Sequence, residues 1–290
     1  MDNPKLHQIT PRVYWLEPDE RTDRPILGAI AGRRATLMVD AGNSPAHAQL
    51  FLDELAAARV APPNYCVLTH WHWDHVFGAS ALDVPTFAYR DTQRKVIELA
   101  GLDWSDEALD RRVAEGTEIE FCRDMLKVEL PDRTGLRLRP PEIAFTGQLD
   151  LDLGGLTAHI IHVGGDHSAD SSIVYVPEEK VLFLSDCWYQ NLYHNPPSYT
   201  TRKLFPLLER LLSFDAEFYL EGHNPEPLSR AEMEQYASLL KTIGQKVDQI
   251  GPHRDEILAD LAQVLAEPPE EYVEIVDAFI AGLQGNMDHA

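Results

Sequence analysis

The stretch His70-Trp71-His72-Trp73-Asp74-His75 decides how this chain is read, because it gathers three imidazoles and a carboxylate into six residues. It directly follows the apolar run Tyr65–Thr69, which reads as a buried strand. A strand end hands its next side chains to a loop, and loops on rigid scaffolds are where binding and catalytic groups concentrate. Imidazole nitrogen and carboxylate oxygen suit Zn²⁺, a redox-inert ion that readily keeps an open position for water, and such donors also accept iron or manganese. Four donors exceed what one catalytic ion takes from so short a loop, so two ions sharing it is the simpler geometry. The remaining donors are then expected at later strand ends. Three such places exist: His167 in His162-Val163-Gly164-Gly165-Asp166-His167-Ser168, Asp186 closing Val181–Ser185, and His223 in Glu221-Gly222-His223-Asn224 after Glu217–Leu220.

Around this loop the chain reads as strands separated by helices. Val13–Glu17, Ile26–Ala31 and Ala35–Asp40 are short apolar and β-branched runs bounded by polar, Pro- or Gly-containing turns. Residues 46–59 place Ala48, Phe51, Leu52 and Leu55 on one helical face, and Pro62 and Pro63 stop that helix before Tyr65–Thr69. Residues 91–127 change character. Val96, Leu99, Leu102, Leu109 and Val113 keep a helical period among many charges, as in a helical insertion. Strands return from Ile143 as Leu149–Leu153, Leu156–Ile161, Ser172–Val176 and Val181–Ser185, with Gly154-Gly155 and Pro177-Glu178-Glu179-Lys180 as turns. Beyond about residue 228 the chain reads as a helical extension to residue 290, with Met233, Tyr236, Leu239, Leu240, Ile243, Val247 and Ile250 on one face. Strands then helix, repeated in two halves, indicate α/β layers with two sheets rather than one parallel sheet. No G-x-G-x-x-G follows a strand and no G-x-x-x-x-G-K-[ST] occurs, so nucleotide cofactors lack support.

Five features in order, Asp40 at the end of a strand in Met38-Val39-Asp40-Ala41-Gly42, H-x-H-x-D-H at 70–75, His167 in a Gly-rich turn, Asp186 closing a strand and Gly222-His223, resemble the metallo-β-lactamase superfamily over about residues 10–225. The resemblance implies an αββα sandwich of two mixed β-sheets flanked by helices, here one domain over 1–290 with the insertion and the extension added. It implies two Zn²⁺ ions in the cleft, one on His70, His72 and His167, the other on Asp74, His75 and His223, with Asp186 bridging. Asp40 would orient a ligand through a hydrogen bond. The third motif reads HVGGDHS where many members read HTPGH, which leaves His162 and His167 as alternatives, His167 preferred because it follows the Gly-Gly-Asp turn. The last reads GHN in place of GHG. Asp186 is followed directly by Cys187, and adjacent strand residues face opposite ways, so only one of them reaches the metals. The Phe-Leu-Ser-Asp run favours Asp186, which speaks against an antibiotic-hydrolysing β-lactamase and for a lactonase- or glyoxalase-II-like hydrolase.

The expected chemistry is hydrolysis of an ester, lactone or thioester by a metal-bridging hydroxide. Asp186 would orient the hydroxide and Asp74 would carry a proton to the leaving group. Tyr189, Tyr193, His194 and Tyr199, in the aromatic loop after Asp186, are candidates to line the substrate pocket. Trp71 and Trp73 read equally as core and as site wall. Two rivals use the same scaffold: an iron-dependent oxidoreductase resembling sulfur dioxygenases, and a phosphodiesterase.

Composition bounds the partners. The 290 residues carry 25 Lys and Arg against 47 Asp and Glu, a formal charge of −22, which repels phosphate backbones and anionic lipid at long range. A small-molecule substrate is therefore expected, with no nucleic acid, no membrane and the helical additions available for a homodimer. Three widely spaced cysteines without a C-x-x-C fit a reducing compartment, and the absence of an apolar leader or spanning segment fits a cytoplasmic protein.

Overall fold

The short apolar runs become strands because both of their faces find something to bury against. The computed structural model describes residues 4–265 and 269–287; residues 266–268 and 288–290 of the expected extension lie outside them. The chain divides into two compact units, one of Met1–Val163, Asp170–Asp186 and Ala216–Pro227, the other of Gly164–Ala169, Cys187–Asp215 and Leu228–Ala290.

In the first unit one sheet runs in sequence order: β1 (Leu6–Thr10), β2 (Val13–Leu16), β3 (Leu27–Ala31), β4 (Thr36–Val39), β5 (Tyr65–Leu68), β6 (Thr86–Tyr89) and β7 (Ile143–Phe145). Its strands are antiparallel from β1 to β4 and parallel from β4 to β7. The second sheet contains β8 (Gln148–Asp152), β9 (Thr157–His162), β10 (Ser172–Val176), β11 (Val181–Ser185) and β12 (Phe218–Glu221) in the order β12-β11-β10-β9-β8. Only β11 and β12 are parallel among these pairs.

Side-chain alternation sorts the first sheet into two cores. Val13, Trp15, Ile30, Leu37, Val39 and Val67 pack with Ile160, Val174, Val181 and Phe183 between the sheets. Leu16, Leu27, Met38, Cys66 and Leu68 face the opposite way and pack with Phe51 and Leu55 of α1 (Pro45–Ala57). That helix begins where its residues dictate: Ser44 caps it by accepting from His47 N at 3.0 Å, and Pro45 occupies the first turn. After the short α2 (Trp73–Val76), the insertion forms α3 (Arg90–Ala100), α4 (Asp106–Ala114) and α5 (Glu120–Glu129). Val96, Leu109, Cys122 and Leu126 bury it in the same helix-side core. Gly28 lets the sheets approach closely, since a Cβ there would overlap the Phe183 ring.

The second unit holds α6 (Thr201–Leu212), α7 (Arg230–Ile250), α8 (Arg254–Leu261) and α9 (Val273–Met287). The last three answer to the expected extension. The two-sheet α/β architecture agrees with the sequence pattern, whereas β1, β6 and α6 are additions to it: β1 has no fully buried residue, and α6 carries Pro206 inside it.

Candidate metal centre

The site is built where parallel strands end. β4 and β5 run parallel, so Asp40 and the loop from Thr69 leave the same edge of the first sheet; β11 and β12 run parallel, so Asp186 and Gly222-His223 leave the same edge of the second. Open sheets carry ligands beyond their strand carboxyl ends for this reason. The loop turns at His72, the N-cap of α2, which places His75 in the last turn of that helix.

Four donors converge there: Asp74, His75, Asp186 and His223. His75 Nε2 lies 3.0 Å from Asp74 Oδ2 and 3.2 Å from Asp186 Oδ2, and His223 Nε2 lies 3.2 Å and 3.4 Å from the same two oxygens. A tetrahedral shell with bonds of about 2.0–2.1 Å spaces its ligands about 3.3–3.4 Å apart. Two neutral imidazoles and two carboxylates at that spacing fit a divalent cation in both geometry and charge. Asp186 also faces His70, whose Nε2 is 3.8 Å from Oδ2, and the His70 ring stands 4.6 Å from that of His72. One carboxylate therefore looks toward both groups of histidines.

The support beneath these donors is specific. Asp40 is buried and accepts from Thr69 N at 2.7 Å, Thr69 Oγ1 at 2.9 Å and His75 Nδ1 at 2.8 Å. With Nδ1 bonded to Asp40, the His75 ring presents Nε2 to the donor cluster. The Thr69 hydroxyl lies 3.1 Å from His70 Nδ1, so one residue braces both histidines. Gly222 leaves a cradle for Asp186: a Cβ on residue 222 would collide with Asp186 Oδ1. Any larger residue there would displace the carboxylate.

Electrostatics describe a cluster rich in negative charge. Burial opposes charge on His75, yet Asp74, Asp186 and Asp40 outweigh it and hold the imidazole well above its ordinary range. Burial likewise opposes charge on His223, and Asp186 and Asp74 overcome it. Against its own burial, Asp74 is held well below the carboxylate range by His75 and His223. A fourth acid, Asp23, lies beside them with Oδ1 3.6 Å from His223 Nδ1, and burial with the Asp74 charge pushes it up to about 7. A cation among these groups would replace the two imidazole protons. Asp23 has no signal in the sequence, since it belongs to no motif and reaches the site only through the fold.

His162 and His167 separate clearly. His162 ends β9 and stacks on Tyr89 with ring centroids 3.8 Å apart at 9°, a packing role. His167 lies in the second unit, where its Nδ1 donates to the Gln190 carbonyl at 3.0 Å and its ring meets Tyr189 edge-on at 6.0 Å. In the same unit Tyr199 is buried with its ring 5.2 Å from Phe279, which commits it to packing, while Tyr193 and His194 are partly exposed. Trp73 is buried in the helix-side core of the first unit.

A Metallo-beta-lactamase superfamily domain matches residues 28–248. The chain belongs to that superfamily. It is similar to the 2,4-dinitroanisole O-demethylase subunit alpha of Nocardioides sp. (strain JS1661), 26% identical over 210 residues, 71% of this chain and 54% of that protein. The chain thus spans about half the length of the curated relative it matches. Among solved structures it resembles the stereoselective inverting sec-alkylsulfatase Pisa1 from Pseudomonas sp., with a TM-score of 0.66, 15% identity and coverage of 97% of this chain and 50% of that one. A metallo-beta-lactamase family protein from Thermus thermophilus aligns at a TM-score of 0.61 and 18% identity over 96% of this chain and 95% of that one. These structural likenesses establish the αββα superfamily fold.

Proposed function

We propose that this superfamily member is a zinc-dependent hydrolase of a carbonyl substrate, an ester, lactone or thioester. The observation that carries the reading is the four-donor cluster at 3.0–3.4 Å with Asp186 facing both His70 and the His75–His223 pair. In this reading His70, His72 and His167 would hold one Zn²⁺ and Asp74, His75 and His223 another, with Asp186 available to both. When bound, such a pair supplies a water of lowered pKa and a Lewis acid for the substrate carbonyl. The protein's residues do the rest. Asp186 accepts a hydrogen bond from the attacking water and fixes its direction. Asp74, ionised, would take the proton that the attacking water gives up and pass it to the leaving group. Asp40 keeps the His75 ring from turning, and Tyr189, Tyr193 and His194 offer walls and donors to the substrate.

The test is a purified, zinc-loaded chain assayed on esters, lactones, thioesters and phosphodiesters, with metal content measured on the same sample. About two zinc per chain and turnover of a carbonyl substrate is the expected result. His72→Ala and Asp186→Ala should each abolish turnover while the chain still folds, and full activity in either variant would overturn the assignment. A second reading, cleavage of a methyl ether, is favoured by the demethylase subunit relative. A methoxyarene in the same panel decides it: methanol release with silence on esters would replace the first reading. About one iron per chain with oxygen uptake would instead mark an oxidoreductase.

A further inference from the structure

Each of the two histidines in the four-donor cluster has a carboxylate behind it. His75 donates from Nδ1 to Asp40 at 2.8 Å, and His223 presents Nδ1 to Asp23 Oδ1 at 3.6 Å. At 3.6 Å the second pair is too long for a hydrogen bond and acts through charge. Asp23 adopts φ +57°, a left-handed conformation uncommon outside glycine. It sits in a turn closed by Asp19 N to Arg24 O at 2.9 Å and Arg24 N to Asp19 O at 3.0 Å.

That turn is pinned from two further segments. Asn43 Nδ2 donates to the Thr22 carbonyl at 2.7 Å. Arg24 forks onto Glu129 at the end of α5, with Nη2 2.7 Å from Oε1 and Nε 3.2 Å from Oε2, and Ser44 Oγ donates to the same Oε1 at 2.5 Å. The Glu129 side chain is only 4% exposed and that of Arg24 19%, so the pair is shielded from solvent. A non-glycine residue in a left-handed conformation persists where its surroundings over-determine it, most often at functional sites.

We propose that Asp23 is the positioning residue for His223, its carboxylate drawing the Nδ1–H side by charge so that Nε2 faces Asp74 and Asp186, and that the helical insertion holds Asp23 in place through Glu129. The inference rests on the metal-binding reading above. It gives the insertion a task that requires no movement: α5 is the fixed end of a brace running Glu129–Arg24–Asp23–His223.

The test uses the full chain and Zn²⁺, with affinities from chelator competition and solvent exchange of the His223 Nδ1–H in the Zn²⁺-loaded protein from ¹H–¹⁵N correlation. Asp23→Asn should weaken one of two Zn²⁺ ions about 10- to 100-fold, leave the other unchanged, and speed the solvent exchange of the His223 Nδ1–H. Glu129→Gln, remote from the donors, should weaken the same ion by at least about threefold with an unchanged circular dichroism spectrum, and it carries the test should Asp23→Asn fail to fold. Unchanged Zn²⁺ affinities in the folded variants overturn the proposal and leave the metal reading intact. A wild-type chain that holds no Zn²⁺ overturns both.

Discussion

Gly222 and Asp186 show how tightly the site is specified at the level of single residues. A Cβ on residue 222 would overlap the Asp186 carboxylate, so Gly222→Ala should displace the group that faces both sets of histidines. Metal content after dialysis against Zn²⁺ is expected to fall below that of wild type, with the far-ultraviolet circular dichroism unchanged. His47 yields a pH prediction. It is buried in α1 with neither ring nitrogen hydrogen-bonded among the described residues, and burial, with Arg24 nearby, pushes its pKa down to about 3 from 6.5. Above pH 6.5 both folded and unfolded states are neutral and folding is unaffected. As pH falls, the unfolded chain takes up a proton that the folded chain refuses, so stability declines by about 1.4 kcal/mol per pH unit, or about 2 kcal/mol by pH 5. Urea unfolding at about pH 7 and about pH 5 should show that slope in wild type and its loss in His47→Leu. The residues legible in the sequence are those in compact signals: His70 to His75 within one loop, Asp186 and His223 at strand ends. Asp23 is not legible, because its nearness to His223 is created by a turn, a neighbouring asparagine and a helix a hundred residues away in sequence.

Elements announce themselves in sequence when one rule accounts for them. The buried strands β4, β5 and β11 are readable because three or four consecutive apolar residues in each are buried on both faces. Phe183 is the clearest such residue, fully buried between the sheets and touching the space over Gly28. Phe183→Ala should cost about 3–5 kcal/mol in urea unfolding, and a cost under about 1 kcal/mol would show that the sheets close over the cavity. β1, with the sequence Leu-His-Gln-Ile-Thr and no fully buried residue, carries little such signal. In α6, Pro206 reads as a breaker. Its missing N–H would have paired with the carbonyl of Arg202, in the first turn of the helix, and the buried Leu204, Leu207, Leu208 and Leu211 hold the helix nonetheless.

For the whole molecule the deciding quantity is charge. The −22 of the chain includes the acids that crowd the cluster. Binding divalent ions there relieves local repulsion and releases protons from His75 and His223, so Zn²⁺ affinity should fall as pH is lowered. Chelation should accordingly lower the Tm, and re-addition of Zn²⁺ at about 100 times its Kd should restore about 2.7 kcal/mol of stability. A Tm indifferent to chelator after verified metal removal would mean that the folded state does not depend on the ions. Among the described residues no helix is long and apolar enough to cross a membrane.

Three of the residues that shape the centre, Asp23 at φ +57°, Asp40 at φ +61° and Ser185 at φ +49°, occupy backbone conformations that few side chains tolerate. Asparagine is the uncharged residue that visits this region most readily after glycine. Exchanging Asp23 or Asp40 for alanine therefore alters charge and backbone together, whereas asparagine alters charge alone. The chain's freedom to vary at these positions is consequently narrow for two unrelated reasons, one electrical and one steric, and a drift in sequence that satisfied only the first would still lose the turn.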